Sequence, residues 1–200
     1  MIYKMLFLFK RKSIAILSAS ADSTLTLLKT ITTSFNCGSI SHMYDGTFLV
    51  SSLYDPRPIR TIDSHDKEED IHHIQLPDKT YTIGRSACSY IPSSKTVLFS
   101  DRDQNTVYMC NYITGEVCET KDNLIREPRG LCLGPQDTVF VCSADTGCIV
   151  QLSAKGDVLK SHNVNMSSPR AVTMSKDATL LAVSNSVNGQ QMIKLFQIEL

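Results

Sequence analysis

The stretch that decides the fold begins at Pro128-Arg129-Gly130-Leu131-Cys132-Leu133. It continues through Val139-Phe140-Val141-Cys142-Ser143-Ala144-Asp145 to Cys148-Ile149-Val150-Gln151-Leu152. Short apolar runs rich in β-branched residues, separated by turn signals such as Gly134-Pro135 and Lys155-Gly156-Asp157, read as strands. The pattern recurs on both sides. Arg170-Ala171-Val172-Thr173, preceded by Pro169, repeats the opening, and Arg85-Ser86-Ala87-Cys88 repeats it without the proline. Val97-Leu98-Phe99 and Leu181-Ala182-Val183 match Val139-Phe140-Val141, and a small polar residue then leads to Asp101, Asp145 or Asn185. A further strand follows at Val107-Tyr108-Met109 or Ile193-Lys194-Leu195-Phe196. Arg85 and Arg129 are 44 residues apart, and Arg129 and Arg170 are 41 apart. A weaker copy runs from Gly38-Ser39-Ile40 through Phe48-Leu49-Val50 and Asp55 to Ile59-Arg60-Thr61-Ile62, and a fragment of another lies at Ile14 to Ser18 and Thr24 to Lys29.

Four short strands per unit at a period in the low forties is the pattern of a propeller blade. No segment longer than about ten residues carries a 3.6-residue apolar period, so helix is expected to be scarce. The reading is an all-β protein, a β-propeller of four-stranded blades with about four and a half blades present. The blades fall at about 13–33 (partial), 34–78, 79–122, 123–163 and 164–200. Residues 1–12 match nothing in the repeat and are set apart as a basic and apolar leader. An incomplete ring leaves a strand edge and an apolar blade face unsealed, so the isolated chain is expected to be marginal, oligomeric or aggregation-prone.

Composition narrows the function classes. The 200 residues are 42% hydrophobic, with twenty basic and twenty acidic side chains. A neutral chain is not held on a polyanion by bulk charge. Neutrality also averages two unlike parts: without residues 1–12 the repeats hold sixteen basic and twenty acidic groups, a net charge of −4. Seven cysteines, an odd number without CxxC spacing, sit mostly in apolar strands and act as small buried hydrophobes, which makes the cytoplasm the expected compartment. The longest unbroken apolar run, Met5 to Phe9, is far short of a membrane span. The apolar stretch before Ala19-Ser20-Ala21 is too short for a signal peptide. No nucleophile or phosphate-loop motif is present, and neither a cofactor nor a small-molecule substrate is expected.

In a propeller, the loop entering each blade's first strand and the loop between its second and third strands emerge on one face. Arg85, Arg129 and Arg170 sit at the first kind; Asp55, Asp101, Arg102, Asp103, Asp145 and Asn185 sit at the second. With Arg126, they form a candidate partner-binding face at the channel mouth, where guanidinium groups can clamp a carboxylate or phosphate. The competing reading is structural. The 85/101 and 129/145 pairs, each sixteen residues apart, suit an ion pair within the blade or an Asp turn cap. His65, His72 and His73 lie in an acidic segment, but His72 and His73 on a strand point to opposite faces, so a solvated loop is expected there rather than a metal site. The channel strands offer no carboxylate, which argues against a metal-dependent propeller hydrolase.

Pro128-Arg129-Gly130-Leu131, the strand ending at Asp145 and the strand from Cys148 together resemble the NHL repeat. Pro169-Arg170-Ala171-Val172 departs from it in replacing Gly by Ala, and Arg85-Ser86 lacks both Pro and Gly. The resemblance covers residues 14 to 200 and is closest to the C-terminal propellers of invertebrate, mollusc-type tripartite-motif proteins. It implies a six-bladed ring of which the N-terminal part is missing, and relatives whose RING finger, B-boxes and coiled coil, absent here, make them ubiquitin ligases. The expected function is therefore non-enzymatic protein recognition. The alternative is single-stranded RNA binding, which needs a contiguous basic face with exposed aromatics.

Overall fold

The computed structural model describes residues 4–9, 12–20, 22, 24–77, 87–187 and 190–198. The chain is an all-β propeller built of consecutive antiparallel sheets. The first holds β1 (Lys4–Phe9), β2 (Ser13–Ala19) and β3 (Leu25–Thr32). The second holds β4 (Asn36–His42), β5 (Phe48–Leu53), β6 (Ile59–Ile62) and β7 (Glu68–Asp70). The third holds β8 (Cys88–Ile91), β9 (Thr96–Asp101), β10 (Thr106–Asn111) and β11 (Val117–Lys121). The fourth holds β12 (Pro128–Leu133), β13 (Val139–Ser143), β14 (Cys148–Leu152) and β15 (Val158–Asn163). The fifth holds β16 (Pro169–Met174), β17 (Leu180–Val187) and β18 (Gln190–Gln197). Among the described residues the helical content is one 3-10 turn, Pro135–Asp137.

Two features differ from the sequence reading. The stretch set apart as a leader contributes β1, which pairs with β2 from Lys4↔Ala19 to Phe9↔Ile14, so the first sheet begins earlier than residue 13. His72 and His73 lie in a turn after β7 rather than on a strand.

Successive sheets pack face to face, and the core is divided among their junctions. Ile14, Ile16 and Ile31 of the first sheet meet Cys37, Phe48, Val50 and Ile62 of the second. Leu49 and Ile59 meet Tyr90, Val97, Phe99 and Tyr108. Leu98, Val107 and Met109 meet Leu131, Val139, Val141 and Val150. Phe140, Cys142 and Ile149 meet Val172, Leu181 and Val183. An interior strand such as β13 is covered on both faces, so all five of its residues are buried and its apolar pattern is continuous rather than alternating.

The channel strands β4, β8, β12 and β16 lie along the inner edge and touch in sequence. Three of them open with a bulge: between Cys37 and Ser39, Pro128 and Leu131, and Pro169 and Ala171. The Pro-Arg opening is therefore a bulge, which re-aims the arginine side chain. A Cβ on Gly130 would lie 2.6 Å from the Arg170 carbonyl oxygen and 2.7 Å from Ala171 Cα, so glycine is what allows β12 and β16 to approach.

Candidate recognition face

The turns joining β5 to β6, β9 to β10 and β13 to β14 emerge on the same face as the segments entering β12 and β16. The turn before β6 carries an ion network. Asp55 Oδ1 accepts the Arg57 backbone N–H at 2.9 Å, and Asp55 Oδ2 pairs with Arg60 Nη2 at 2.7 Å. Arg60 is only 3% exposed. Its Nε lies 3.2 Å from Asp70 Oδ1 without hydrogen-bond geometry, its Nη1 lies 3.8 Å from Glu68, and its guanidinium carbon stands 4.3 Å from the Phe35 ring centroid. Arg57 bridges Asp55 and Asp70 from the solvent side. Burial alone would raise the Asp55 carboxyl; hydrogen bonds from Arg57 and the charges of Arg60 and Arg57 outweigh it and hold Asp55 below its usual range.

A second network joins the third and fourth sheets. Glu127 receives a hydrogen bond from Arg102 on one carboxylate oxygen and one from Arg129 Nη2 at 3.0 Å on the other. The Arg102 hydrogen bond, opposed by a smaller effect of burial and reinforced by Arg129, lowers the Glu127 carboxyl. Glu127 sits in left-handed backbone conformation (φ 46°), and the Asn105 side chain accepts its N–H at 2.8 Å.

The remaining sequence candidates are placed as follows. Arg85 lies outside the described residues. Asp101 caps its turn, accepting the N–H groups of Asp103 and Gln104 at 3.2 and 3.3 Å. Arg129 is 5% exposed and pairs with Glu127, not with Asp145 as the sixteen-residue spacing suggested. Two residues of separation bring Glu127 to the same bulge, whereas Asp145 turns outward and is exposed. Arg102, expected to face a partner, spends one guanidinium nitrogen on Glu127. Arg126 is exposed, with its backbone fixed by Ser143, whose Oγ accepts the Arg126 N–H at 2.8 Å and donates to its carbonyl at 3.1 Å. Arg170 is half-buried, and its buried Nε has no hydrogen-bond partner among the described residues. Asn185 is buried and structural, donating to the Ser167 carbonyl at 3.0 Å and accepting the Met192 N–H at 3.0 Å.

Several residues of this face escape a repeat-based reading: Arg57, Arg60, Glu68, Asp70 and Glu127, and two exposed apolar groups. Tyr54, at the β5–β6 turn, is 66% exposed on left-handed backbone (φ 60°), and Leu124, before β12, is 40% exposed. None recurs between copies, so self-comparison passes over them. The directly legible signal was Tyr54 next to Asp55 in a turn, an aromatic where the other copies place small or polar residues. Among the described residues no three His, Cys, Asp or Glu side chains gather as a metal set, and no helix is long and apolar enough to cross a membrane.

No family model and no curated protein matches the chain. Many solved structures share its fold. A streptogramin B lyase aligns at 14% identity with a TM-score of 0.63, over 98% of this chain and 70% of the lyase. Hydrazine synthase from Kuenenia stuttgartiensis aligns at 14% identity with a TM-score of 0.68, over 98% of this chain and 60% of the other. A protein of unknown function from Bacteroides thetaiotaomicron aligns at 11% identity with a TM-score of 0.72, over 96% of this chain and 56% of the other. At these identities the likeness shows the propeller fold alone.

Proposed function

We propose that the chain is a protein-recognition module, binding a protein partner through the face that carries Tyr54, Arg102, Leu124, Arg126 and Asp145. The observation that supports this over RNA binding is the state of the arginines. Arg57, Arg60, Arg102 and Arg129 all carry carboxylate partners, so the face is charge-mixed. A polyanion needs uncompensated positive charge to release counterions. A mixed face with an exposed tyrosine, an exposed leucine and an exposed arginine, Arg126, is instead the chemistry of protein hot spots. The finer identity, an NHL-type propeller of the tripartite-motif kind acting in a reducing cytoplasm as a binder rather than an enzyme, belongs to the same proposal. It rests on the Pro128-Arg129-Gly130 opening and on seven unpaired thiols.

Panning the protein against a random-peptide display library tests the reading. An enriched consensus whose binding is lost in Tyr54→Ala and Arg126→Ala supports it. Salt-dependent binding of polyuridylate, with no peptide enrichment, overturns it in favour of RNA.

A further inference from the structure

Two junctions open on the candidate face with the same backbone and different side chains. The turns 102–105 and 144–147 follow the paired residues Asp101↔Thr106 and Ser143↔Cys148, and each ends on left-handed backbone, at Asn105 (φ 52°) and Gly147 (φ 70°). The segments entering β12 and β16 match as well. Glu127 (φ 46°) and Ser168 (φ 50°) each precede a Pro-Arg pair, and a bulge follows each proline. Arg102, Glu127 and Arg129 between the third and fourth sheets therefore correspond to Ala144, Ser168 and Arg170 between the fourth and fifth. In the first set Glu127 accepts one hydrogen bond from each arginine. In the second, a hydroxymethyl group stands for that carboxylate and the methyl of Ala144, 4% exposed, stands for Arg102. Arg170 alone is retained. It is half-buried, its buried Nε has no hydrogen-bond partner, and it makes no ion pair among the described residues.

We propose that Arg170 anchors a carboxylate supplied by a ligand, an aspartate or glutamate side chain of a bound protein, in the place that Glu127 takes beside Arg129. The inference deepens the recognition reading and rests on it for the source of the carboxylate. A half-buried guanidinium has lost part of its hydration, and without a counter-charge that loss goes uncompensated. Its planar fork of N–H donors matches a carboxylate, and such charge-assisted hydrogen bonds are the strong ones. Ser168 and Ala144 omit the atoms with which Glu127 and Arg102 fill the preceding junction, which is the volume an incoming acidic side chain needs. The chain itself supplies the precedent for the ligand: at the equivalent arginine the group it uses is a single carboxylate.

Magnetic resonance of the arginine Nε–H groups in isotope-labelled protein tests the proposal, the Arg170 signal being identified by its loss in Arg170→Lys. The probe is N-acetylglutamate amide, with N-acetylglutamine amide as its neutral isostere and inorganic phosphate as a third ligand. A saturable shift of the Arg170 signal is expected with the glutamate probe, and a response about tenfold weaker or less with the glutamine one. Ser168→Glu places a carboxylate within the chain, so it should weaken the probe by about tenfold and raise the thermal midpoint. Absence of a saturable shift, an equal response to the glutamine probe, a tighter response to phosphate, or an unaltered response in Ser168→Glu overturns the proposal. Peptide panning separates this failure from that of the recognition reading. An enriched consensus without Asp or Glu, or one bound equally by Ser168→Glu, overturns the anchor and leaves the recognition reading standing. A probe response with no enriched peptide overturns the recognition reading and leaves the carboxylate site.

Discussion

The Ser100 hydroxyl donates a 2.7 Å hydrogen bond to the Arg129 carbonyl, linking β9 of one sheet to the channel strand of the next. The same Oγ accepts the Ala87 N–H at 2.8 Å, so one small side chain joins β9, β12 and the residue that leads into β8. Ser39 makes a comparable tie, accepting the Cys88 N–H at 2.8 Å. Ser100 is fully buried, and Ser100→Ala strands a buried carbonyl and a partly buried N–H. The expected cost is about 2 kcal/mol, read as a lower urea midpoint with an unchanged slope.

Gly130→Ala should be among the most damaging single-methyl additions. The atoms it meets are backbone, at 2.6 and 2.7 Å, and cannot rotate away. Gly38→Ala is the control, because its 2.7 and 2.8 Å neighbours are the Ser51 hydroxyl and the Leu53 side-chain tip, which can move. A loss of about 3 kcal/mol at Gly130 against about 1 at Gly38 is expected in thermal melts.

Arg60 neutralises three carboxylates from a site that is 3% exposed. Arg60→Met keeps much of the volume and the contact with Phe35 but leaves Asp55, Asp70 and Glu68 facing one another. The expected loss is about 3 kcal/mol at neutral pH, and it should shrink as pH falls through the lowered Asp55 value, where that carboxylate takes up a proton. A loss that does not depend on pH would assign Arg60 a packing role instead.

Glu127 sets an acid limit. Its carboxyl is lowered by Arg102, against burial, and by Arg129, so its contribution is fully present above the unfolded value of about 4.3 and is lost as pH falls through the lower folded value. Glu127→Gln should melt below the unmodified protein at pH 7, and the gap should close as pH falls below the lowered Glu127 value. The effect is small because the side chain is 37% exposed.

Thiol accessibility checks the packing of the blades. Burial pushes Cys88, Cys110 and Cys132 up to about 12 and raises Cys37 and Cys142 as well, whereas Cys118 is exposed. An aromatic disulfide reagent at pH 8 should titrate Cys118 rapidly in the native protein, Cys148 more slowly, and the full seven only in denaturant. Cys118→Ser should abolish the fast phase.

The propeller was legible because blade packing imposes the same demands in every copy. A second strand covered on both faces must be apolar throughout, as Val97-Leu98-Phe99 and Val139-Phe140-Val141 are. Three of the channel strands open with a bulge, and Pro128-Arg129-Gly130 and Pro169-Arg170 record it in two of them. The first sheet was read short because Lys4–Phe9 lacks the Pro-Arg opening and is followed by Lys10-Arg11-Lys12 rather than by the Gly, Pro or Asp turn signals of the other copies, so its pairing with β2 has no counterpart in the repeat. The candidate face was legible only in outline. Repetition located the arginines at one end of the blades, but their partners depend on which carboxylate each local turn presents. Glu127 lies in an irregular segment and Asp70 at the end of the short strand β7, each a single occurrence whose side-chain direction follows tertiary packing rather than the repeat. The contacts among Tyr44, Tyr90 and Tyr112 were invisible for a related reason: the three are 46 and 22 positions apart and meet because the second and third sheets are neighbours.

The core has no centre. Each of the four apolar clusters belongs to one junction, and among the described residues a sheet shares its buried core only with the sheets before and after it. Cooperativity then behaves as in a row of coupled links, where strength resides in the joints and fraying spreads from the ends inward. Amide exchange should accordingly be slowest in β9, β10, β13 and β14, and a lesion at the junction of the third and fourth sheets would divide the molecule into two short runs, each with its own melting behaviour.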